Sequence, residues 1–123
     1  METVGIHHVA LNVRNLNDAL AFYEGALGFR LLSRPDFGFD GAWLQVGESQ
    51  VHLIEVDDAH PDARQHFALQ VADLEATVAA LEEKGLTVRR AAHVDGAGHQ
   101  AFIRDPSGNR IELNQPDGLA PGG

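Results

Sequence analysis

A chain of 123 residues has room for one domain, or for two half-domains sharing one core, but not for two independent domains. Nine basic residues against 18 acidic ones leave a net charge of −9, which argues against nucleic acid or an anionic membrane as partner, and no apolar run approaches the ~20 residues of a membrane span. The absence of cysteine excludes disulfides, thiolate metal sites and cysteine nucleophiles, and no charged-then-apolar leader opens the sequence, so a cytoplasmic location is the expectation.

In chain order, residues 6–13 alternate Val9, Leu11 and Val13 with His8, Ala10 and Asn12, the period of a half-buried strand. Asn15 or Asn17 caps a helix over about 17–27, in which Leu16, Leu20, Phe22, Tyr23 and Leu27 keep a helical spacing until Gly28 ends it. Strands follow over 29–34, 42–46 and 50–56, the last two joined by Gly47-Glu48-Ser49. These make one β-α-β-β-β module over about 5–56, followed by a polar connector at 57–64. A second module over about 65–115 has a strand at 65–71, a helix at 73–84 stopped by Gly85, and strands at 86–93, 99–104 and 109–115. Asp105-Pro106-Ser107-Gly108-Asn109 reads as a tight turn, and 116–123 as a loose Pro- and Gly-rich tail.

The second module repeats the first. His8-Val9-Ala10-Leu11-Asn12-Val13 recurs as His66-Phe67-Ala68-Leu69-Gln70-Val71, and Leu16 to Glu24 aligns with Leu74 to Glu82 at the same offset. A one-residue gap then brings Gly28 onto Gly85. Ala42-Trp43-Leu44 matches Ala101-Phe102-Ile103, and Val51-His52-Leu53 matches Ile111-Glu112-Leu113. Four residues of metal-ligand type thus fall at related strand positions: His8 with His66, and His52 with Glu112.

Strand parity sharpens this. Val9, Leu11 and Val13, like Phe67, Leu69 and Val71, belong under the helices, so His8, His66, His52 and Glu112 all fall on the opposite face. Imidazole and carboxylate suit Zn²⁺, Ni²⁺, Mn²⁺ or Fe²⁺, and a carboxylate flanked by Ile111 and Leu113 is costly in a sheet without a cation or hydrogen-bond donors. Asn12 and Gln70 line the same face. Trp43 and Phe102 either line a cavity or belong to the core, and Arg104, on the Phe102 face, either holds an anionic substrate group or pairs with a nearby acid. His7, of opposite parity, is expected near a helix or subunit contact. His60 is expected in solvent. His93 and His99 read as exposed loop residues, with a proton shuttle at a cavity mouth as the sharper alternative. Glu55 has the wrong parity for a metal.

The paired modules, His-Val-Ala-Leu in the first strand, Ala-Phe-Tyr-Glu-Gly-Ala-Leu-Gly-Phe at the helix end and Asp-Pro-Ser-Gly-Asn-Arg-Ile-Glu-Leu near the C-terminus resemble the vicinal oxygen chelate superfamily over about residues 5–115. That superfamily includes glyoxalase I, fosfomycin-resistance transferases, extradiol dioxygenases and bleomycin-resistance proteins. The resemblance implies a single α+β domain whose tandem modules curl a mixed sheet around a metal and substrate cavity, with helices on the outer face. It implies a divalent metal at His8, His52, His66 and Glu112, a small substrate with vicinal oxygens, and a homodimer. Isomerase, epimerase or lyase chemistry is the first expectation, with Glu112 as general base and His52 second. An Fe²⁺ dioxygenase using His8, His66 and Glu112 is an alternative, and a non-catalytic binding or resistance protein another. Asn12, where glyoxalase I has an arginine that grips glutathione, and His52, where it has Glu or Gln, argue against a glutathione adduct.

Overall fold

The computed structural model describes residues 1–61 and 64–118. Part of the connector (62–63) and the end of the expected tail (119–123) lie outside the described residues. The chain divides into two compact units, one of residues 1–61 with 106–108, the other of the remaining described residues.

In the first unit, β1 (His8–Val13) leads into α1 (Leu16–Leu20), followed by β2 (Arg30–Leu32), β3 (Gly41–Val46) and β4 (Ser49–Glu55). The sheet runs β1-β4-β3-β2, with β1 parallel to β4 and the other pairs antiparallel. The second unit repeats the plan with β5 (His66–Gln70), α2 (Leu74–Glu83), β6 (Arg89–Arg90), β7 (His99–Arg104) and β8 (Arg110–Gln115), ordered β5-β8-β7-β6. The fold is therefore α+β, two tandem modules each built on a four-stranded mixed sheet. No helix among the described residues is long and apolar enough to cross a membrane.

Each helix starts in the same way. Asn15 and Asp73 sit at the N-caps, their side chains accepting from the backbone N–H of Asp18 and Ala76. The next free N–H is taken by the last strand of the module: Leu16 donates to Glu55 Oε2 at 2.7 Å, and Leu74 donates to Gln115 Oε1 at 2.8 Å. The Glu55 carboxylate is thus spent on a helix terminus, consistent with its parity.

The first helix departs from the continuous α-helix expected over 17–27. After Leu20 the chain passes into a π-helical segment, Ala21–Ala26, with Leu27 N–H donating to the Phe22 carbonyl five residues back. A π-turn is an α-turn carrying one extra residue, which accounts for the one-residue gap between the repeats. The insertion turns both Phe22 and Tyr23 inward, at 8% and 0% exposure. Gly28 then adopts a φ of 76° that a side chain would resist. Strands expected over 29–34 and 86–93 shorten to Arg30–Leu32 and Arg89–Arg90, where the polar and glycine-containing loops beside them leave few partners.

The core follows the predicted parity. Val13, Leu44, Val51 and Leu53 are buried in the first unit, and Ile103, Ile111 and Leu113 in the second. The side chains between them along each strand face the other way and carry the polar and aromatic residues of interest. The turn after β7 is closed by its own ends: Asn109 donates from its backbone N–H and its amide to the two Asp105 carboxylate oxygens, each at 2.8 Å.

Candidate functional site

Register builds the same row in both units. In the first, Ala10, His52 and Trp43 lie side by side across β1, β4 and β3, with His8 one diagonal step away. In the second, Ala68, Glu112 and Phe102 form the equivalent row across β5, β8 and β7, with His66 on the diagonal. Small alanines at one side leave space over the central residue, and the aromatic ring walls the other.

In the first unit the rings stack. His8 lies on His52 with centroids 3.9 Å apart and planes 12° apart, and Trp43 covers the other side of His52 at 4.4 Å and 9°. His52 Nε2–H donates to Gln50 Oε1 at 2.8 Å, which leaves Nδ1 as the nitrogen with a free lone pair. Burial, then the His8 and His7 imidazoles and the Arg34 guanidinium, hold the His52 pKa below the usual histidine value, so neutral imidazole is favoured. A cavity of about 200 Å³ opens here between His8, His52, Trp43, Arg34, Phe37 and Phe39. The Arg34 guanidinium carbon sits 5.0 Å and 5.1 Å from the centres of the Phe37 and Phe39 rings, and both phenylalanines remain about half exposed.

In the second unit the central residue is a carboxylate, buried to 7% exposure. Glu112 Oε2 accepts from Gln100 Nε2 at 3.1 Å and from Asn114 Nδ2 at 2.8 Å. Glu112 Oε1 instead faces His66 Nε2 at 3.1 Å. The opposite nitrogen of that ring, Nδ1, lies 2.8 Å from the Arg64 carbonyl, an acceptor only, so Nδ1 carries a proton. A neutral His66 therefore turns a lone pair toward a carboxylate. The contact is completed by a proton on either partner or by a metal ion between them. Metal bonds of about 2.0–2.2 Å set at roughly 90–110° place neighbouring donors about 3.0–3.5 Å apart, and this pair already has that spacing. The donor set fits a divalent ion.

Of the predicted site residues, His8 is brought onto His52, and His66 onto Glu112. Trp43 and Phe102 take their places in the two rows, both half-buried. Asn12 and Gln70 are exposed, one pairing register with Ile54 and the other with Asn114. Arg104 is exposed at the end of β7 opposite Arg110. The guanidinium groups over the Phe102 ring are those of Arg110 at 4.1 Å and Arg89 at 4.7 Å, which alternation along β7 alone does not reveal. His7 turns its ring toward His8. It stands at the start of the β1–β4 ladder, its carbonyl accepting from the Gln50 N–H at 3.0 Å, and its Nδ1 meets His8 Nδ1 at 2.8 Å with its ring 6.4 Å from His52. His60 pairs with Asp58, both largely exposed. His93 and His99 stack on each other at 4.2 Å beside Asp117, whose carboxyl is held below the usual range by hydrogen bonds from His93 and from the Gly96 N–H. Gln50, Gln100 and Asn114, which orient the central residues, carry no distinguishing signal beyond their strand parity.

Residues 5–113 match the family model of the glyoxalase, bleomycin resistance protein and dioxygenase superfamily. The chain is 34% identical over 121 residues to a lactoylglutathione lyase of Haemophilus influenzae, covering 88% of this chain and 90% of that protein. Among solved structures, a glyoxalase family protein from Bacillus anthracis superposes with a TM-score of 0.86 at 25% identity, over 95% of this chain and 98% of the other. TnmS3, an antibiotic binding protein from Streptomyces sp. CB03234, superposes with a TM-score of 0.76 at 28% identity, over 95% and 99%. The chain belongs to the glyoxalase, bleomycin resistance protein and dioxygenase superfamily, the vicinal oxygen chelate fold.

Proposed function

We propose that the protein is a metal-dependent enzyme of glyoxalase-like type, acting on a small molecule with two adjacent oxygens, with its metal ligands drawn from His8, His52, His66 and Glu112. The observation that carries this reading is the His66–Glu112 contact, a ring nitrogen placed 3.1 Å from a buried carboxylate oxygen. When bound, a divalent ion such as Zn²⁺, Ni²⁺, Mn²⁺ or Fe²⁺ supplies Lewis acidity that makes a C–H or O–H beside a chelated oxygen easier to deprotonate. The proton itself is the business of the chain. Glu112 is the proposed general base, acting when its bond to the ion opens: Gln100 and Asn114 fix its Oε2, leaving Oε1, the oxygen that faces His66, as the atom that takes and returns a proton. His52 is second, because its neutral form is favoured and its Nδ1 lone pair is uncommitted.

The named relative makes the hemithioacetal of glutathione the first substrate to try. Asn12, exposed and uncharged where an arginine would grip glutathione, favours a compact hydroxy-ketone, enediol or diol instead. A second reading, binding without turnover, draws support from the aromatic lining of the cavity in the first unit and from the likeness to an antibiotic binding protein. The test is reconstitution of metal-stripped protein with each of the four ions, followed by assays on the hemithioacetal, on simple hydroxy-ketones, and on a catechol with Fe²⁺ under an oxygen electrode. Stoichiometric metal with isomerase or lyase turnover supports the proposal. Oxygen uptake transfers it to a dioxygenase, and tight ligand binding without metal or turnover overturns it in favour of sequestration. A homodimer is expected, to be checked by light scattering on the purified protein.

A further inference from the structure

A second group of ligand-type side chains lies elsewhere, in the loop between β6 and β7 and in the segment after β8. An isolated antiparallel bridge between Val94 and Gly98 closes the loop, and continuing that register by one step sets His93 opposite His99. Their rings stack with planes 18° apart. The loop is fastened to the end of β8 at two points: Asn114 Nδ2 donates to the Ala97 carbonyl at 2.9 Å, and Gly96 N–H donates to Asp117 Oδ2 at 2.8 Å. The approach is close enough that a Cβ on Gly98 would come within 2.7 Å of the Asn114 side chain and 2.8 Å of the Gln115 carbonyl. With Oδ2 held by the backbone, Asp117 Oδ1 faces His93 Nε2 at 2.7 Å. Asp95 stands behind the ring, its carboxylate 3.7 Å from His93 Nδ1.

We propose that His93, His99 and Asp117 form a divalent transition-metal site, separate from the four residues of the proposed reaction. One ligand atom from each of the three lies within 4.8 Å of the others. Bringing them to the ~3.0–3.5 Å donor spacing of a bound ion needs side-chain shifts of about 1 Å, with no change in the loop. Two imidazoles and one carboxylate select borderline ions such as Zn²⁺, Ni²⁺ or Cu²⁺ over Mg²⁺ and Ca²⁺, which take oxygen ligands. The Gly96 N–H steadies Asp117, and the Asp95 carboxylate adds negative charge 3.7 Å from His93 Nδ1. The His99 ring forms no hydrogen bond among the described residues, so its ring nitrogens are uncommitted. Three protein ligands leave positions open, and a cavity of about 370 Å³, lined by His93, His99, Gln100, Gln115 and Arg90, adjoins them. Water or a small anion completes the shell from there.

The experiment is paramagnetic NMR of the histidine rings in the full chain, with Cu²⁺ added from below one equivalent upward, on the wild-type protein and on Asp117→Asn. Asp117 is exposed, so this variant folds, and circular dichroism checks that it does. Expected is broadening of the His93 and His99 rings and of the Gly96 amide, whether or not the other rings broaden. In Asp117→Asn the ion concentration needed for that broadening rises more than about tenfold, the lower bound for losing even an outer partner of a metal site. His93 and His99 signals that stay sharp with excess Cu²⁺, or a midpoint unchanged in Asp117→Asn, overturn the proposal. The His8, His52 and His66 rings are followed in the same spectra, so failure here and failure of the reaction site are read separately.

Discussion

Replacing Glu112 by glutamine separates what its charge does from what its shape does. The carboxylate is buried, with Oε2 taking hydrogen bonds from Gln100 and Asn114 and Oε1 facing His66 Nε2. A glutamine of the same shape keeps its carbonyl oxygen on Gln100 and Asn114 and turns its amide N–H toward His66. Because the Arg64 carbonyl holds the His66 proton on Nδ1, the neutral Nε2 accepts that N–H, so every hydrogen bond survives. Stability in Glu112→Gln is therefore expected to change by no more than about 1 kcal/mol, the scale of one neutral hydrogen bond. Glu112→Ala leaves Gln100, Asn114 and His66 facing an apolar gap, and hydrogen bonds to a charged group are worth about 1.5–3 kcal/mol, so the expected loss is roughly 2–4 kcal/mol in total. Metal binding at the reaction site behaves differently: both variants are expected to weaken it, since glutamine brings no charge to the ion and alanine no donor atom. Urea unfolding gives the first quantity, and calorimetric titration with Zn²⁺, in protein also carrying His93→Ala, gives the second. Glutamine as destabilising as alanine, or a glutamine variant that binds Zn²⁺ like its parent, would refute the argument.

Three further outcomes are expected. Trp43 is the single tryptophan of the chain and lies 4.4 Å from His52, so Ni²⁺ or Cu²⁺ at His8 and His52 should quench its fluorescence; His52→Ala should abolish the saturable part, and undiminished quenching in that variant speaks against His52 as a ligand. His52 favours its neutral form in the folded protein, so the unfolded chain takes up its proton first as pH falls through the usual histidine value of about 6.5; the associated stability is present above that pH and is lost as pH drops through it toward the lower folded-state value. Ring NMR should show His52 titrating below a free histidine and moving back up in Arg34→Ala, and an unshifted midpoint contradicts this. A Cβ on Gly41 would lie 2.4 Å from the Leu53 carbonyl, so Gly41→Ala should prise β3 from β4 and cost at least roughly 1–3 kcal/mol in urea unfolding, whereas a neutral result would mean the strands yield without cost.

Much of this architecture is legible in the residues themselves. Alternation marks the buried face of each sheet, and the repeat places His52 and Glu112 at the centre of matching rows because strand register copies a sequence offset faithfully. Even the π-turn leaves a trace, as the single residue by which Gly28 outruns Gly85. Legibility fails where position is set by contacts between distant segments. His7 escapes the parity reading because it stands at the very start of the β1–β4 ladder, where its ring turns back onto His8. Asp117 falls in a stretch whose Pro and Gly content reads as loose, and only the fastening of the 94–98 loop to the end of β8 brings it to His93. Arg89 and Arg110 reach Phe102 across neighbouring strands, contacts that alternation along β7 does not reveal.

The two rows also show how a repeat of geometry can carry a difference in chemistry. Both have a small residue, a central polar residue and an aromatic ring in the same register, but the centre is an imidazole in one and a carboxylate in the other. Around His52 the neighbours are rings and one guanidinium, and burial with nearby cationic groups disfavours added positive charge. Around Glu112 the neighbours are amide donors, which stabilise negative charge on the carboxylate and invite a cation to Oε1. On the proposed reading, the row of the second module carries the charge that attracts an ion. The row of the first, taken by itself, carries neutral ring nitrogens and an aromatic wall of Trp43, Phe37 and Phe39. Changes at Glu112 or His66 should then register first in ion affinity, and changes at Trp43 or Phe39 in which small molecule is accepted.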